Sequence, residues 1–168
     1  MILISYKRED YQQDMINNIK LLDNVVELGC HVGVSTKIIS NLAQDGTVYA
    51  YDNSPESTKE MNKLRTEYKN IIFRNCDVRE KQVVYNQAKK DKIDVLCIDL
   101  GGGYHPDTVF KVFFLWSSIL KPRITLIRNR GLMDFVNTTQ TKTKNKSKQG
   151  YLETSADAII PGKKQKTK

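Results

Sequence analysis

Carboxylates recur at one kind of position in this chain: Glu27, Asp52, Asp77 and Asp99 each stand within or just after a short apolar run. Between the first two lies Gly29-Cys30-His31-Val32-Gly33-Val34-Ser35-Thr36, where glycines leave backbone bare for close approach of a ligand. A helix starting near 33–35 would offer free amides to an anionic group. Acceptors beside bare backbone suit a ligand rich in donors, such as an amine or a ribose diol. They suit a pyrophosphate less well. A dinucleotide loop reads GxGxxG, and counted from Gly29 its second and third glycine positions hold His31 and Val34, which disfavours NAD. The same turn also reads as a plain strand-to-helix connection capped by Ser35 or Thr36.

Asp52, with Asn53 beside it, falls roughly 20 residues past the glycine loop, where a ribose diol would need an acceptor. It can equally begin a helix through Asp52-Asn53-Ser54-Pro55. Asp77, followed by Val78, has the same two readings, ligand acceptor or helix cap. After Asp99 come Leu100, three glycines, Tyr104, His105 and Pro106. An imidazole on a glycine-rich loop suits a general base. The alternative is a turn whose glycines supply positive φ while His105-Pro106 starts a helix.

The elements that must hold these residues follow from hydrophobic spacing. Strands are expected at 25–28, 47–51, 70–74, 93–99 and 123–128, and helices at 34–44, 55–69, 79–91 and 106–120. Continuous apolar strands alternating with helices predict a doubly wound, mostly parallel α/β sheet in three α/β/α layers. Ligands bind such sheets beyond the carboxyl ends of the strands, where the carboxylates lie. Residues 8–22 place Tyr11, Met15, Ile16, Ile19 and Leu22 on one helical face, so 1–24 is read as a flanking helix or lid on a core of 1–136.

The run from Val25 to Thr36 resembles motif I of class I, Rossmann-like methyltransferases, in the ExGxxxGxST form of small catechol O-methyltransferase-like domains. His31 takes the usual middle glycine. Phe73-Arg74-Asn75-Cys76-Asp77-Val78 looks like the adenine-binding segment of that family. The stretch Ile98-Asp99 to His105 is similar to its IDGxH-type strand end, and Leu120-Lys121-Pro122 to its leucine-lysine-proline turn. The resemblance spans about 25–130 and implies S-adenosylmethionine as cofactor. Glu27, Gly29, His31, Gly33 and Ser35 would then surround the methionyl end, Asp52 and Asn53 the ribose, and Asp77 and Val78 the adenine. Asp99 would lie near the methyl group, with Asp99 and His105 as catalytic candidates and Tyr104, Arg128 and Asn129 toward the acceptor. Metal-dependent relatives carry an acidic pair where this chain has Arg128-Asn129; guanidinium repels a cation that wants several oxygen ligands, so metal-independent transfer is expected. The family's closing antiparallel strands would be shortened here, with 135–141 and 151–155 as a hairpin around a turn at 142–148.

With 168 residues the chain suits one domain. Cys30, Cys76 and Cys97 are too few and too widely spaced for a disulfide framework or a CxxC site. No apolar stretch approaches the ~18 residues of a membrane span, and charges follow Ile2–Ile4 without a cleavage site, so a cytoplasmic enzyme is expected. Most of the net charge of +8 lies in 137–168, which holds eight lysines against Glu153 and Asp157. That segment reads as a polar tail or hairpin. It would also draw RNA, making an RNA methyltransferase one alternative. A non-catalytic binding or assembly domain is another, an NAD enzyme a weaker one, and self-association into a homodimer is allowed.

Overall fold

The computed structural model describes residues 1–142 and 147–153. Six strands, β1 (Ile2–Ser5), β2 (Val25–Leu28), β3 (Val48–Asp52), β4 (Ile71–Asn75), β5 (Val95–Ile98) and β6 (Ile124–Arg128), form one sheet in the order β1-β6-β5-β2-β3-β4. Every pairing is parallel. The helices are α1 (Arg8–Asn18), α2 (Val34–Leu42), α3 (Ser57–Glu67), α4 (Lys81–Ala88), α5 (Pro106–Leu120) and α6 (Arg130–Thr138).

Alternation along the buried strands divides the core in two. Val25, Val48, Val95 and Leu126 face α1, α2 and α3 through Tyr11, Met15, Ile39 and Met61. Val26, Tyr49, Leu96 and Ile127 face α4 and α5 through Val84, Val109, Phe113 and Trp116. This is the doubly wound, three-layer arrangement that continuous apolar strands require. Trp116 is fully buried, tilted against Tyr51 at 5.2 Å, and its indole N–H donates to the Val78 carbonyl at 2.7 Å. One core residue thereby fixes the rim of the region described below.

Three expectations need correction. Ile2–Ser5 is a strand, not part of a helical flank, and pairs with β6 from Ile2↔Thr125 to Ser5↔Arg128. Its side chains are mostly half-buried and it has four residues, so it lacks the fully apolar signature of the inner strands. The helix over 8–22 ends at Asn18; Tyr11, Met15 and Ile19 are buried while Ile16 and Leu22 are exposed, because 16 turns away from the face of 11 and 15 and 22 lies beyond the helix end. Finally, Phe135–Val136, expected in a hairpin strand, belong to α6, whose first turn is capped by the Asn129 side chain accepting from the Leu132 amide at 2.9 Å. Residues 151–153 form no strand, and most of the turn at 142–148, with 154 and 155, lies outside the described residues. The edge position beside β6 is filled from the N-terminus, by a parallel strand.

Near the amino ends of β1 and β6, Gly150 donates to the Pro122 carbonyl at 3.0 Å and accepts from Thr125, and the Met1 amine donates to the Arg123 and Lys148 carbonyls. Part of the lysine-rich segment is thus tied to the body of the fold, at the end of the sheet away from the carboxylates.

Candidate functional site

The chain leaves β2 for β3 and β4 on one side and returns to β5 on the other, so the order reverses between β2 and β5. A crevice opens at that reversal, beyond the carboxyl ends. Gly29, directly after β2, has φ of +89°, and a Cβ there would collide with the Asp99 carbonyl oxygen at the end of β5. The amides of Gly29 and Cys30 both donate to the Tyr51 carbonyl, at 2.9 and 3.3 Å, pinning the loop to β3. Gly33 (φ +83°) ends the loop tightly, where a Cβ would lie 2.7 Å from Leu64 and 2.9 Å from the Met61 sulfur. His31 stands in the left-handed region at φ +47° without being glycine. Its amide donates to Asp52 Oδ2 at 2.8 Å, and its Nε2 lies 3.0 Å from Glu56 Oε1.

Neither Ser35 nor Thr36 caps α2. Thr36 is buried and donates to Glu27 Oε2 at 2.6 Å. Burial pushes the Glu27 carboxyl up to about 7, the Thr36 hydroxyl pulls it back only in part, and the Asp99 and Asp52 charges raise it further. A carboxyl raised in the folded state binds its proton more tightly there than when unfolded. Its contribution to stability is greatest in acid and is lost as pH climbs from the ordinary glutamate range through about 7. Glu27→Gln, which keeps an acceptor for Thr36, is expected to remove that slope and to exceed the wild type above pH 7 by up to about 3 kcal/mol. Urea titrations across pH read this directly, and parallel stability curves for the two proteins would contradict it.

Asp52 Oδ1 accepts from the Ser54 amide at 2.7 Å, and α3 is not capped by it. Asp77 does not cap α4 either; it accepts from the Arg79 amide and from the Arg79 guanidinium at 2.6–3.0 Å. The Arg79 hydrogen bonds hold the Asp77 carboxyl below its usual range. Together Gly29, Asp52, Asn53, Asp77, Val78, Leu100 and Gly101 line a cleft of about 280 Å³. Tyr51, Cys76, Arg79 and Thr108 complete it, and sequence spacing singles out none of the four as a ligand contact. A larger groove of about 660 Å³ runs along α4 and α5 over Val112, Leu115 and Ile119 and shares only Arg79 and Thr108 with the cleft. It follows helix surfaces rather than strand ends, where a doubly wound sheet holds ligands, so the smaller cleft is the candidate site.

On the β6 side Asp99 is clasped by Arg128, whose Nη1 lies 3.1 and 3.0 Å from the two carboxylate oxygens. Burial still holds the Asp99 carboxyl above its usual range, with Arg128 opposing. The Arg128 Nη2 donates to the Gly102 carbonyl at 3.1 Å, fastening the turn of Gly101, Gly102 and Gly103, all at positive φ. Asn129 is fully buried and donates to the Tyr104 carbonyl at 2.7 Å. His105, exposed and at φ +56°, is the N-cap of α5 with Pro106 at the first helical position, so the turn reading of this loop is realised. Of the residues expected to bind ligand, Glu27, His31, Gly33, Ser35 and Asp99 do not line the cleft.

No protein-family model matches the sequence, and no curated protein matches it. Among solved structures the chain is similar to Methanococcus jannaschii fibrillarin, a pre-rRNA processing protein (TM-score 0.57, 21% identity, 72% of this chain and 50% of that one). It is also similar to a putative rRNA methylase from Clostridium thermocellum (0.59, 15%, 82% and 83%) and to a putative caffeoyl-CoA O-methyltransferase from Staphylococcus aureus (0.56, 15%, 82% and 66%). The chain has the Rossmann-like methyltransferase fold. It spans about half the length of the fibrillarin chains it overlays. Within this methyltransferase fold, the cleft occupies the reversal of strand order that the sheet provides. No described helix is long and apolar enough to cross a membrane.

Proposed function

We propose that the chain is an S-adenosylmethionine-dependent methyltransferase that transfers a methyl group to oxygen or nitrogen of an acceptor without a metal, in the cytoplasm. The observation that carries this reading is the alignment of Gly29, Asp52 and Asp77, at or just beyond the ends of three adjacent strands, along one cleft at the strand-order reversal. The donor set fits a sulfonium nucleoside. Asp52 can accept from a ribose diol, Asp77 from an adenine amino group, and the bare backbone of Gly29 admits close approach. Buried Glu27, lying beneath the loop, gains a reason to ionise when a cationic amine arrives.

When bound, S-adenosylmethionine supplies an electrophilic methyl group. The protein's task is then to align the acceptor and remove its proton. Asp99 is committed to Arg128, so His105 on the adjoining turn is the general base in this reading. The guanidinium also takes the place beside Asp99 that a cation would need.

Calorimetry with S-adenosylhomocysteine and NAD tests the assignment. Binding of the first and not the second is expected, with Asp52→Ala weakening it by ~1–3 kcal/mol through lost ribose hydrogen bonds. Unchanged affinity in Asp52→Ala removes that residue from the site. Tight binding without methyl transfer from labelled S-adenosylmethionine to any fraction of a cell extract would favour a non-catalytic binding domain.

A further inference from the structure

Sequence order scatters aromatic and basic residues too widely to suggest a nucleic-acid platform, yet the fold assembles one at the carboxyl ends of β1 and β6. The Arg130 guanidinium lies 5.4 Å from the Tyr6 ring centre and 5.1 Å from that of Tyr104, and its Nη1 donates to the Tyr104 hydroxyl at 2.8 Å. These residues come from the segment after β1, the loop after β5 and the start of α6. Both tyrosines are exposed, at 41% and 57%. Tyrosine bodies are apolar, and two of them held open around one arginine offer stacking surface to a planar partner.

The surroundings select the partner's charge. Arg8 acts electrostatically on Asp99, so Arg8, Arg128 and Arg130 all stand near this mouth; of the carboxylates there, Asp99 is clasped by Arg128 and Asp14 accepts from Ser5, next to Tyr6, at 2.6 Å. The Nε atoms of Arg128 and Arg130 are buried with no hydrogen-bond partner among the described residues. A guanidinium beside exposed rings fits phosphate and base together. Tyr104 also adjoins the glycine turn whose first residue lines the cleft, so a strand lying on the platform would reach the region of Asp99 and His105.

We propose that Tyr6, Tyr104 and Arg130 bind the methyl acceptor as a single-stranded nucleic acid, the rings stacking on unpaired bases and Arg130 meeting phosphate. This rests on the methyltransferase reading for its purpose, but its geometry stands apart from the cofactor cleft. A duplex hides base faces and offers nothing to stack, whereas a single strand presents them.

The test measures fluorescence anisotropy of a short labelled RNA strand, the same sequence in DNA, and an RNA duplex. Wild type, Tyr6→Ala, Tyr104→Ala, Tyr104→Phe and Arg130→Gln are compared, with S-adenosylhomocysteine affinity recorded for each. Tyr6→Ala, Tyr104→Ala and Arg130→Gln are expected to weaken one of the single strands about tenfold, and Tyr104→Phe, which keeps the ring, no more than about threefold. The RNA and DNA arms decide which strand is the ligand. Equal binding by wild type and the alanine variants overturns the platform, as does a duplex bound as tightly as either strand, whether or not the cofactor product binds. Platform-dependent strand binding in a protein that does not take S-adenosylhomocysteine would support the platform and remove the methyltransferase reading.

Discussion

Gly29→Ala is expected to abolish measurable binding of S-adenosylhomocysteine, a loss of at least about a hundredfold, and to destabilise the fold as well. Two penalties meet at this position. An L side chain in the left-handed region costs roughly 1–2 kcal/mol on its own, and φ here is +89°. The larger penalty is steric, because the new Cβ would enter the Asp99 carbonyl oxygen and sit 2.9 Å from its carbonyl carbon. Backbone on two central strands must then separate, at the point where β2 and β5 diverge to form the cleft. Gly102→Ala isolates the conformational penalty, since Gly102 also has positive φ, +66°, but a Cβ there meets nothing within 4 Å. That variant should lose stability by the conformational cost alone and keep cofactor affinity within a few fold. Calorimetric titration and urea melts of the two variants separate the cases, and equal loss of affinity in both would remove the close approach of Gly29 and Asp99 from the account.

The same pair of residues shows why part of the site could be read from sequence and part could not. Strands β2, β3, β5 and β6 announce themselves because both faces are covered, leaving nearly unbroken apolar runs such as Val25-Val26 and Val95-Leu96-Cys97-Ile98. Parallel order then puts the residues that end or follow the strands, β4 included, at one end of the sheet, so Gly29, Asp52 and Asp77 could be grouped before any contact was known. β1 escaped because an edge strand of four mostly half-buried residues looks like any short apolar patch. α6 escaped for the opposite reason: Phe135 and Val136 read as strand formers, and their exposure in a helix comes from the element's place over the strand ends rather than from their types. Sequence spacing likewise set Arg128 toward the acceptor without linking it to Asp99. Only the adjacency of β5 and β6 brings the two side chains together, and only the insertion of β1 beyond β6 brings Tyr6 to Arg130.

Arg128→Leu is expected to cost about 3–5 kcal/mol of stability near neutral pH, because it strands the Asp99 carboxylate in a largely buried position. The arginine side chain is only 9% exposed and the aspartate 21%, so solvent screens the pair little. Burial already lifts the Asp99 carboxyl above its usual range against the pull of Arg128, and removing the guanidinium lifts it further. A raised carboxyl stabilises the folded state most in acid, and that contribution falls away as pH rises through the folded value. The deficit of Arg128→Leu should therefore be smallest in acid, where Asp99 is protonated in both states, and grow as pH rises above the ordinary aspartate range. Asp99→Asn added to Arg128→Leu leaves no charge to bury and should recover most of the loss, whereas Arg128→Lys keeps the charge but lacks the planar fork that reaches Asp99 and the Gly102 carbonyl together. Urea unfolding of the four proteins in acid and near neutrality decides the matter. A deficit independent of pH, or a double variant no better than Arg128→Leu, would mean that the arginine acts through packing, and the glycine turn carrying His105 would then owe its position to something other than this ion pair.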